Sequence, residues 1–302
     1  MIAETKFRLN NLDIDSLISS GELEQLIEET NSTGIPQVLT TERPDKCAKH
    51  LYDGRIVIIV NGNPYALVLP ISILDFLCSP EDSNLRPSFA NFLRLLRFIC
   101  YVTTILLPGL YIAVNNFHPE LLPTELLFSI IASRENEPFP IIFELMLLEI
   151  SFEIIREAGI RVPSPIGSLL SIVGGLILGE ASVSANIVSP ITVIIVAMTG
   201  IASFAIPDFS LGFHLRIFRF LFILLGAVTG FLGIGVGIFA YICMLCSVRS
   251  FGVPYTVPFT PATLGKNVGF AITNTWNKNN RSSFVAPQRN VRQQNTSKKW
   301  EK

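Results

Sequence analysis

The sequence has little charge for its length, and its second half contains long stretches with none. Of 302 residues, 16% are charged and 49% are hydrophobic, and the mean hydropathy is +0.49. Residues 220–248 include no Asp, Glu, Lys, Arg or His. A bilayer core about 30 Å thick needs only about 20 helical residues to be crossed. This composition argues against an ordinary soluble enzyme and predicts a membrane protein.

The sequence also lacks the residue patterns of common catalytic and metal sites. No nucleophile elbow, phosphate-binding loop, zinc-binding His pair or dinucleotide-binding glycine motif occurs in a suitable context. Cys243 and Cys246 have the spacing of a metal or redox pair, but no second pair and no nearby His completes a site. We therefore predict a protein that is not an enzyme, with no catalytic, cofactor-binding or metal-binding residues.

Three regions differ in composition along the chain. We predict an α-helical multi-pass membrane domain at residues 91–250, preceded by a small αβ soluble segment at residues 1–90 and followed by a basic, mostly disordered tail at residues 251–302. The tail is rich in Asn, Gln, Ser and Thr and carries most of its charge as Lys and Arg. We expect it to bind anionic lipid head groups rather than nucleic acid, because it has no folded platform.

The soluble segment contains two recognisable patterns. A helical spacing of apolar residues runs from Leu12 to Ile27, and two apolar runs at residues 55–60 and 65–69 flank a turn at Asn61 and Gly62. The turn residues predict a β-hairpin. Because both runs are apolar throughout, we expect both faces of the hairpin to be covered within a larger αβ layer.

Four apolar stretches predict membrane spans. They are residues 98–117, 165–181, 187–206 and 220–247. Four crossings return both termini to one side, and the basic flanks at both ends place that side in the cytoplasm. The loop at Asp208 and the acidic stretch at residues 118–164 then lie outside or along the membrane. Five or six crossings remain open if residues 141–155 dip through the bilayer.

One predicted helix carries the acidic residues that are hardest to place. It covers residues 141–158, with Pro138 and Pro140 before it and Gly159 at its end. Carboxylates on an apolar helix need a partner or water, so they are candidates to line an ion or solute path. These candidates are Glu144, Glu149, Glu153 and Glu157. The alternative is a helix at the membrane interface whose carboxylates lie in solvent, paired with Arg156 and Arg161.

Glycines at spacings of four residues mark candidate helix-packing faces. These are Gly175, Gly179, Gly226, Gly230, Gly233 and Gly237. Close helix contacts of this kind favour self-association, so we expect a homo-oligomer. Arg216 and Arg219 are interpreted as anchors at the membrane interface, and Asp208 as a cap for the following segment.

Several short strings together resemble one known family. They include PFPIIFE at residues 138–144, EIIREAGIRVP at 153–163 and LCSVRSFGVPY at 245–255, with TERP at 41–44 and SPED at 79–82 in the soluble segment. Over about residues 7–261 the chain resembles the A subunit of bacterial spore germinant receptors, the GerA family. Members of that family carry a longer N-terminal soluble region, so we expect this chain to lack most of it.

The resemblance implies a non-enzymatic, multi-pass subunit of the spore inner membrane with both termini in the cytoplasm. It implies assembly with a transporter-like B subunit and a lipoprotein C subunit into a receptor for amino acids, sugars or nucleosides. It further implies that A subunits oligomerise into an ion-conducting assembly, in which the Glu-bearing helix faces water. The alternatives are a secondary transporter or permease subunit, for which no internal repeat is seen, and a membrane hydrolase using Glu149 or Glu153.

Overall fold

A computed structural model of the chain describes residues 2–29, 34–135, 137–162, 174–175, 177, 179–257 and 259–260. These residues form two compact units. The first comprises the described residues of 1–98, 206–214 and 240–302, and the second those of 99–205 and 215–239. Residues 261–302 of the predicted tail and most of the predicted span at residues 165–181 lie outside the described residues. The prediction that the tail is disordered is wrong for residues 251–257, which are folded in the first unit.

The first unit is built on a three-stranded antiparallel sheet. Strands β1 (Leu39–Thr41), β2 (Ile56–Ile59) and β3 (Ala66–Leu69) lie in the order β1, β3, β2. The predicted hairpin is confirmed, because β2 pairs with β3 across a turn in which Gly62 has a φ of +82°. All four residues of β3 are buried, but Ile59 on the edge strand β2 is 75% exposed. The expectation that both faces are covered therefore holds for the central strand and is wrong for the end of β2.

Short helices complete the N-terminal part of this unit as far as it is described. They are α1 (Ile2–Asn10), α2 (Ser20–Ile27), α3 (Pro44–Tyr52) and α4 (Ile73–Leu77). The helical pattern read from Leu12 is wrong at its start, because the capping box of Ser19 and Glu22 begins α2 at Ser20. Leu23 and Ile27 of α2 then pack with apolar residues of the sheet in the core of the unit.

The residues after the last helix belong to the same core. Strands β4 (Arg249–Ser250) and β5 (Val253–Pro254) form a small hairpin whose turn residues, Phe251 and Gly252, both have positive φ. The buried Ser250 hydroxyl donates to the Gln37 carbonyl (2.7 Å) and accepts from the Ile71 N–H (3.1 Å). The chain that follows the helices is thus fixed to the N-terminal segment through residue 257.

Longer helices follow the N-terminal segment within the described residues. They are α5 (Pro87–Phe117), α6 (Thr124–Arg134), α7 (Ile141–Arg161), α8 (Pro190–Phe204), α9 (Phe209–Thr229) and α10 (Phe231–Ser247), with 3-10 turns at Pro80–Asn84 and Pro119–Leu121. Within the described residues, α5 and α9 are long and apolar enough to cross a membrane, and α8 and α10 are apolar but shorter. The core of the second unit includes Ile112 of α5, Leu145 of α7, Val196 of α8 and Ile223 of α9.

The interpretation of residues 220–247 as one crossing is wrong. Two helices, α9 and α10, occupy this region, and α9 already begins at Phe209. Gly230 separates them with a φ of +64°, a conformation that L side chains rarely adopt. A Cβ at this position would also lie 2.9 Å from Cγ of the Phe117 ring. Charge-free sequence alone could not show this break, because both helices are apolar.

The expected position of the Asp208 loop also needs correction. Asp208 caps α9 as predicted, since its Oδ1 accepts from the Leu211 N–H at 3.1 Å. Further along α9, His214 Nδ1 lies 3.1 Å from the Gly34 carbonyl oxygen and donates to it, because a carbonyl oxygen can only accept. The other ring nitrogen, Nε2, lies 3.2 Å from the Tyr241 hydroxyl. The start of α9 therefore lies beside the N-terminal segment. The loop is not on the opposite side from that segment.

Candidate functional site: two ionic clusters on one helix

Helix α7 places the four predicted carboxylates in different surroundings. The helix begins at Ile141 after Pro140, as predicted, and continues through Gly159 to Arg161. The residues Glu144 and Glu149 are buried, whereas the Glu153 and Glu157 side chains are 31% and 54% exposed. Each of the four lies within 4 Å of an arginine nitrogen.

The first group is the Arg219 cluster, which consists of Glu149, Glu153, Arg156, Arg216 and Arg219. Arg219 Nη2 lies 2.9 Å from Glu149 Oε2, and both side chains are fully buried. Arg216 Nη1 donates to Glu153 Oε1 at 2.5 Å. The second oxygen of Glu153 lies 3.7 Å from Arg219 Nη2. Two acids of α7 are thus bound to two arginines of α9.

The interpretation of Arg216 and Arg219 as interface anchors is wrong. Arg219 is 0% exposed and Arg216 is 8% exposed within the protein itself. Their spacing of three residues on α9 matches the spacing of four between Glu149 and Glu153 on α7, since both spacings keep side chains on one helix face. This complementary spacing is the sequence signal that could have linked the two helices.

Arg156 reaches from the same face of α7 to helix α8. Its Nη2 donates to the Ser203 hydroxyl at 2.6 Å, and its guanidinium lies 4.4 Å from the centre of the Phe204 ring. Its Nη1 is 3.9 Å from Glu153 Oε2. The cluster therefore joins three helices, α7, α8 and α9, through charged groups that are largely shielded from solvent.

The second group is the Glu144 cluster, which consists of Glu144, Glu137 and Arg134. Arg134 Nη2 lies 3.5 Å from Glu144 Oε1, and Arg134 Nε lies 3.4 Å from Glu137 Oε2. The other oxygen of Glu144 accepts from the Ser189 N–H (3.2 Å) and the Thr192 hydroxyl (3.3 Å) at the start of α8. The Arg134 guanidinium thus pairs with both carboxylates, and the start of α8 donates neutral hydrogen bonds to Glu144.

The two carboxylates of the Glu144 cluster affect one another's protonation. Burial, together with the negative charge and hydrogen bond of Glu144, raises the pKa of Glu137 to about 7. The hydrogen bonds continue from Thr192 to the Tyr111 hydroxyl at 3.2 Å. The cluster can therefore hold an additional proton near neutral pH within a buried chain of polar groups.

The predicted helix-packing glycines differ in what surrounds them. A Cβ on Gly226 would lie 2.4 Å from the Gly109 carbonyl oxygen, and one on Gly237 would lie 2.7 Å from Leu225 Cδ1, so α5, α9 and α10 meet at these positions. A Cβ on Gly233 would lie 2.0 Å from Thr229 Oγ1. Gly179 has ordinary contacts with Val193, and Gly175 has nothing within 4 Å. The role of these glycines between subunits stays a prediction.

The described part of the chain contains no clustered metal ligands. There, no three His, Cys, Asp or Glu residues are grouped so as to hold a metal ion. The five cysteines are not joined in disulfides. The geometry of this site is that of ion pairs between helices.

Comparison with known proteins gives a consistent result. The family described as Bacillus/Clostridium GerA spore germination protein matches residues 1–284. The chain is 44% identical over 294 residues to Spore germination protein KA of Bacillus subtilis (strain 168), which covers 97% of this chain and 54% of that protein. No solved structure matches the chain.

Other relatives are matched over a similar share of their own length. Identity is 41% over 258 residues with Spore germination protein A1 of Bacillus subtilis (strain 168), covering 85% of this chain and 54% of that protein. Identity is 40% over 262 residues with Spore germination protein GerLA of Bacillus cereus, covering 87% of this chain and 53% of that protein. The chain thus spans about half the length of the curated relatives that it matches.

Proposed function

Because the chain belongs to the GerA family of Bacillus/Clostridium spore germination proteins, we propose that it acts in germination as the membrane part of a germinant receptor A subunit. The family match over residues 1–284 is the observation that carries this proposal. The relatives are named as germination proteins and their names state no reaction. In this role the chain is a non-enzymatic subunit that works with a transporter-like B subunit and a lipoprotein C subunit.

In this proposal the helices cross the spore inner membrane an even number of times. Residues 206–214 and 248–257 both pack with the N-terminal segment, so α9 and α10 leave and return to the same side, with their turn at Gly230. Four crossings by α5, α8, α9 and α10 satisfy this condition. If helix α7 and residues 165–181 both cross the membrane as well, the number of crossings is six and is still even. The basic flanks then place both termini in the cytoplasm.

The Arg219 cluster is proposed as the closed state of the ion path. The carboxylates that would attract cations are paired with arginines in the described conformation. Glu153 is the most accessible acid of the cluster and is held by Arg216 at 2.5 Å. Separation of α7 from α9, in an oligomer surrounded by lipid, would free Glu153 to face water. The cluster thereby links a helix movement to the exposure of negative charge.

The germination role can be tested by a segment exchange in spores. The matching segment of the Bacillus subtilis KA relative is replaced by this chain, and optical density is followed after adding a mixture of amino acids, sugars and nucleosides. We expect spores with the exchanged segment to germinate, and spores without any KA protein to lose the KA-dependent response. A stable, membrane-located hybrid that gives no response contradicts the germination role.

The ion path is tested separately in proteoliposomes that contain the full chain. We expect Glu153→Gln to raise the basal potassium efflux several-fold, because it weakens the contact that holds α7 to α9. Glu157→Gln is the matched control, since Glu157 lies one turn further along α7 and pairs with the exposed Arg161. If the protein neither self-associates nor conducts ions with or without Glu153→Gln, the conducting assembly is ruled out.

A further inference from the structure

A cavity in the second unit lies between α5, α6 and α8. It measures about 320 Å³ and is open on one side. Aliphatic side chains of the three helices form most of its wall, among them Leu107, Leu110, Val114, Leu126, Ile130 and Ile195. Folded interiors are packed with few voids larger than a water molecule. A space of this size between packed helices is therefore a candidate binding site.

The chemistry of the wall selects an apolar ligand. None of the described residues that line the cavity is charged, and the two polar ones have partners within the protein. The Tyr111 hydroxyl lies 3.2 Å from Thr192 Oγ1, and Asn115 Nδ2 donates to the Tyr111 carbonyl at 2.8 Å. A water molecule needs about two to four polar partners, and a sugar or an amino acid would leave its own polar groups unpaired. The ligand that fits this wall is a hydrocarbon.

The shape of the cavity favours a chain over a compact molecule. An engineered apolar cavity of about 150 Å³ in another protein binds benzene, and this one has roughly twice that volume. Leu107 and Asn115 both line it and are eight residues apart on α5, a distance of about 12 Å along a helix axis. Beyond Asn115, where α5 ends, the exposed Asn116 and Glu120 are polar. A hydrocarbon chain with a polar group at one end matches this arrangement.

The surroundings of the cavity identify the source of such a chain. Phe128 and Ile131 of α6 and Ile194 of α8 are more than half exposed on the helices that line it, and α5 is long and apolar enough to cross a membrane. We propose that the cavity binds one acyl chain of a membrane lipid, whose head group lies beside Asn116 at the end of α5. The bound chain holds α6 against α5 and α8. This inference rests on the membrane location in the proposed function, and it assigns a ligand distinct from the germinant.

The test uses the full chain in nanodiscs of phosphatidylethanolamine and phosphatidylglycerol. A small fraction of the phosphatidylglycerol carries a photoactivatable diazirine on one acyl chain, and the labelled residues are identified by mass spectrometry of peptides after irradiation. We expect label at Ile130 and Ile195 in the cavity, in addition to label at their exposed neighbours Ile131 and Ile194.

Two matched substitutions locate the bound chain. Ile195→Trp fills the cavity and should lower the label at Ile130 several-fold. Ile194→Trp places the same side chain on the exposed side of α8 and should leave the label at Ile130 unchanged. If Ile195→Trp does not fold, Val114→Phe fills the cavity from α5 and should have the same effect.

The possible failures of this test are distinguishable. The site is overturned if the label at Ile130 persists in a folded cavity-filling variant, or if it falls equally in Ile194→Trp. Label at Ile131 and Ile194 without label at Ile130 and Ile195 shows that protein rather than lipid fills the cavity; this result overturns the site and leaves the membrane location intact. If no residue of the chain is labelled, the membrane location is wrong and the lipid site fails with it.

Discussion

Helix α7 takes part in two ionic clusters whose excess charges are opposite. In the Glu144 cluster one guanidinium, that of Arg134, faces two carboxylates. In the Arg219 cluster three guanidinium groups face two carboxylates. Glu144 and Glu149 are five residues apart on the same helix and are both buried. Their different surroundings come from the helices that pack against α7.

This difference shows that the spacing of acids on a helix does not determine their role. Glu144 accepts neutral hydrogen bonds at the start of α8, and its cluster can hold an additional proton. Glu149 is in contact with a fully buried arginine of α9. Removing one negative charge should therefore have different consequences at the two positions. The predictions below test this difference, beginning with the largest effect.

The same substitution at the two buried acids should give unequal losses of stability. Glu149→Gln leaves Arg219 without its nearest counter-charge, and breaking a buried ion pair from one side costs about 3–5 kcal/mol. Glu144→Gln removes the excess negative charge of its cluster, and the amide oxygen can still accept one hydrogen bond. We expect that change to alter the free energy of unfolding by no more than about 1 kcal/mol. Denaturant unfolding of the full chain in detergent measures both.

Each of these variants is a control for the other, because both remove one carboxylate charge from a buried site of α7. Equal losses at the two positions would show that the excess charges of the clusters do not govern their stability. A larger loss for Glu144→Gln than for Glu149→Gln would reverse the comparison.

A second prediction concerns pH and the Glu144 cluster. The pKa of Glu137 is about 7 in the folded chain, above its ordinary value of 4.5. Between these values the folded state binds more protons than the unfolded state, so stability is present at low pH and is lost as pH rises through about 7. We expect Glu137 to contribute a decrease of roughly 2–3 kcal/mol between pH 5 and pH 8, which Glu137→Gln should remove.

The measurement is the difference in unfolding free energy between wild type and Glu137→Gln at a series of pH values. This difference cancels the contributions of other groups, such as Glu24, whose pKa is also raised to about 7 by burial. Glu157→Gln should keep the wild-type pH dependence. A difference that does not change between pH 5 and pH 8 would show that Glu137 titrates at its ordinary pKa.

Local features of the fold could be predicted from the sequence. The hairpin follows from the Asn61 and Gly62 pair, because the turn needs a residue with positive φ, which Gly62 supplies. The cap of α9 by Asp208 and the start of α7 after Pro140 are also decided by a few neighbouring residues. The family resemblance also rests on strings of adjacent residues.

Features that depend on distant parts of the chain could not be predicted. The partner of Glu153 is Arg216, 63 residues away, and no local sequence pattern predicts that α7 packs against α9. The spacing of Gly226 and Gly230 predicts a packing motif, but a glycine fits both a close helix contact and a positive φ, and only the structure distinguishes the two. The position of the Asp208 loop likewise depends on the contact of His214 with Gly34.

The smallest effect is expected at the end of α7, where Glu157 pairs with Arg161. These side chains are 54% and 78% exposed, so water replaces the lost partner when either is changed. Exposed pairs at this spacing contribute about 0.3–0.5 kcal/mol, and salt weakens them further. Glu157→Gln should therefore change the unfolding free energy by less than about 0.5 kcal/mol and still less in high salt, in contrast to Glu149→Gln two turns earlier. A loss above about 2 kcal/mol would mean that Glu157 is covered in the native protein, for example by a second copy, and that the contrast between buried and exposed acids on this helix is wrong.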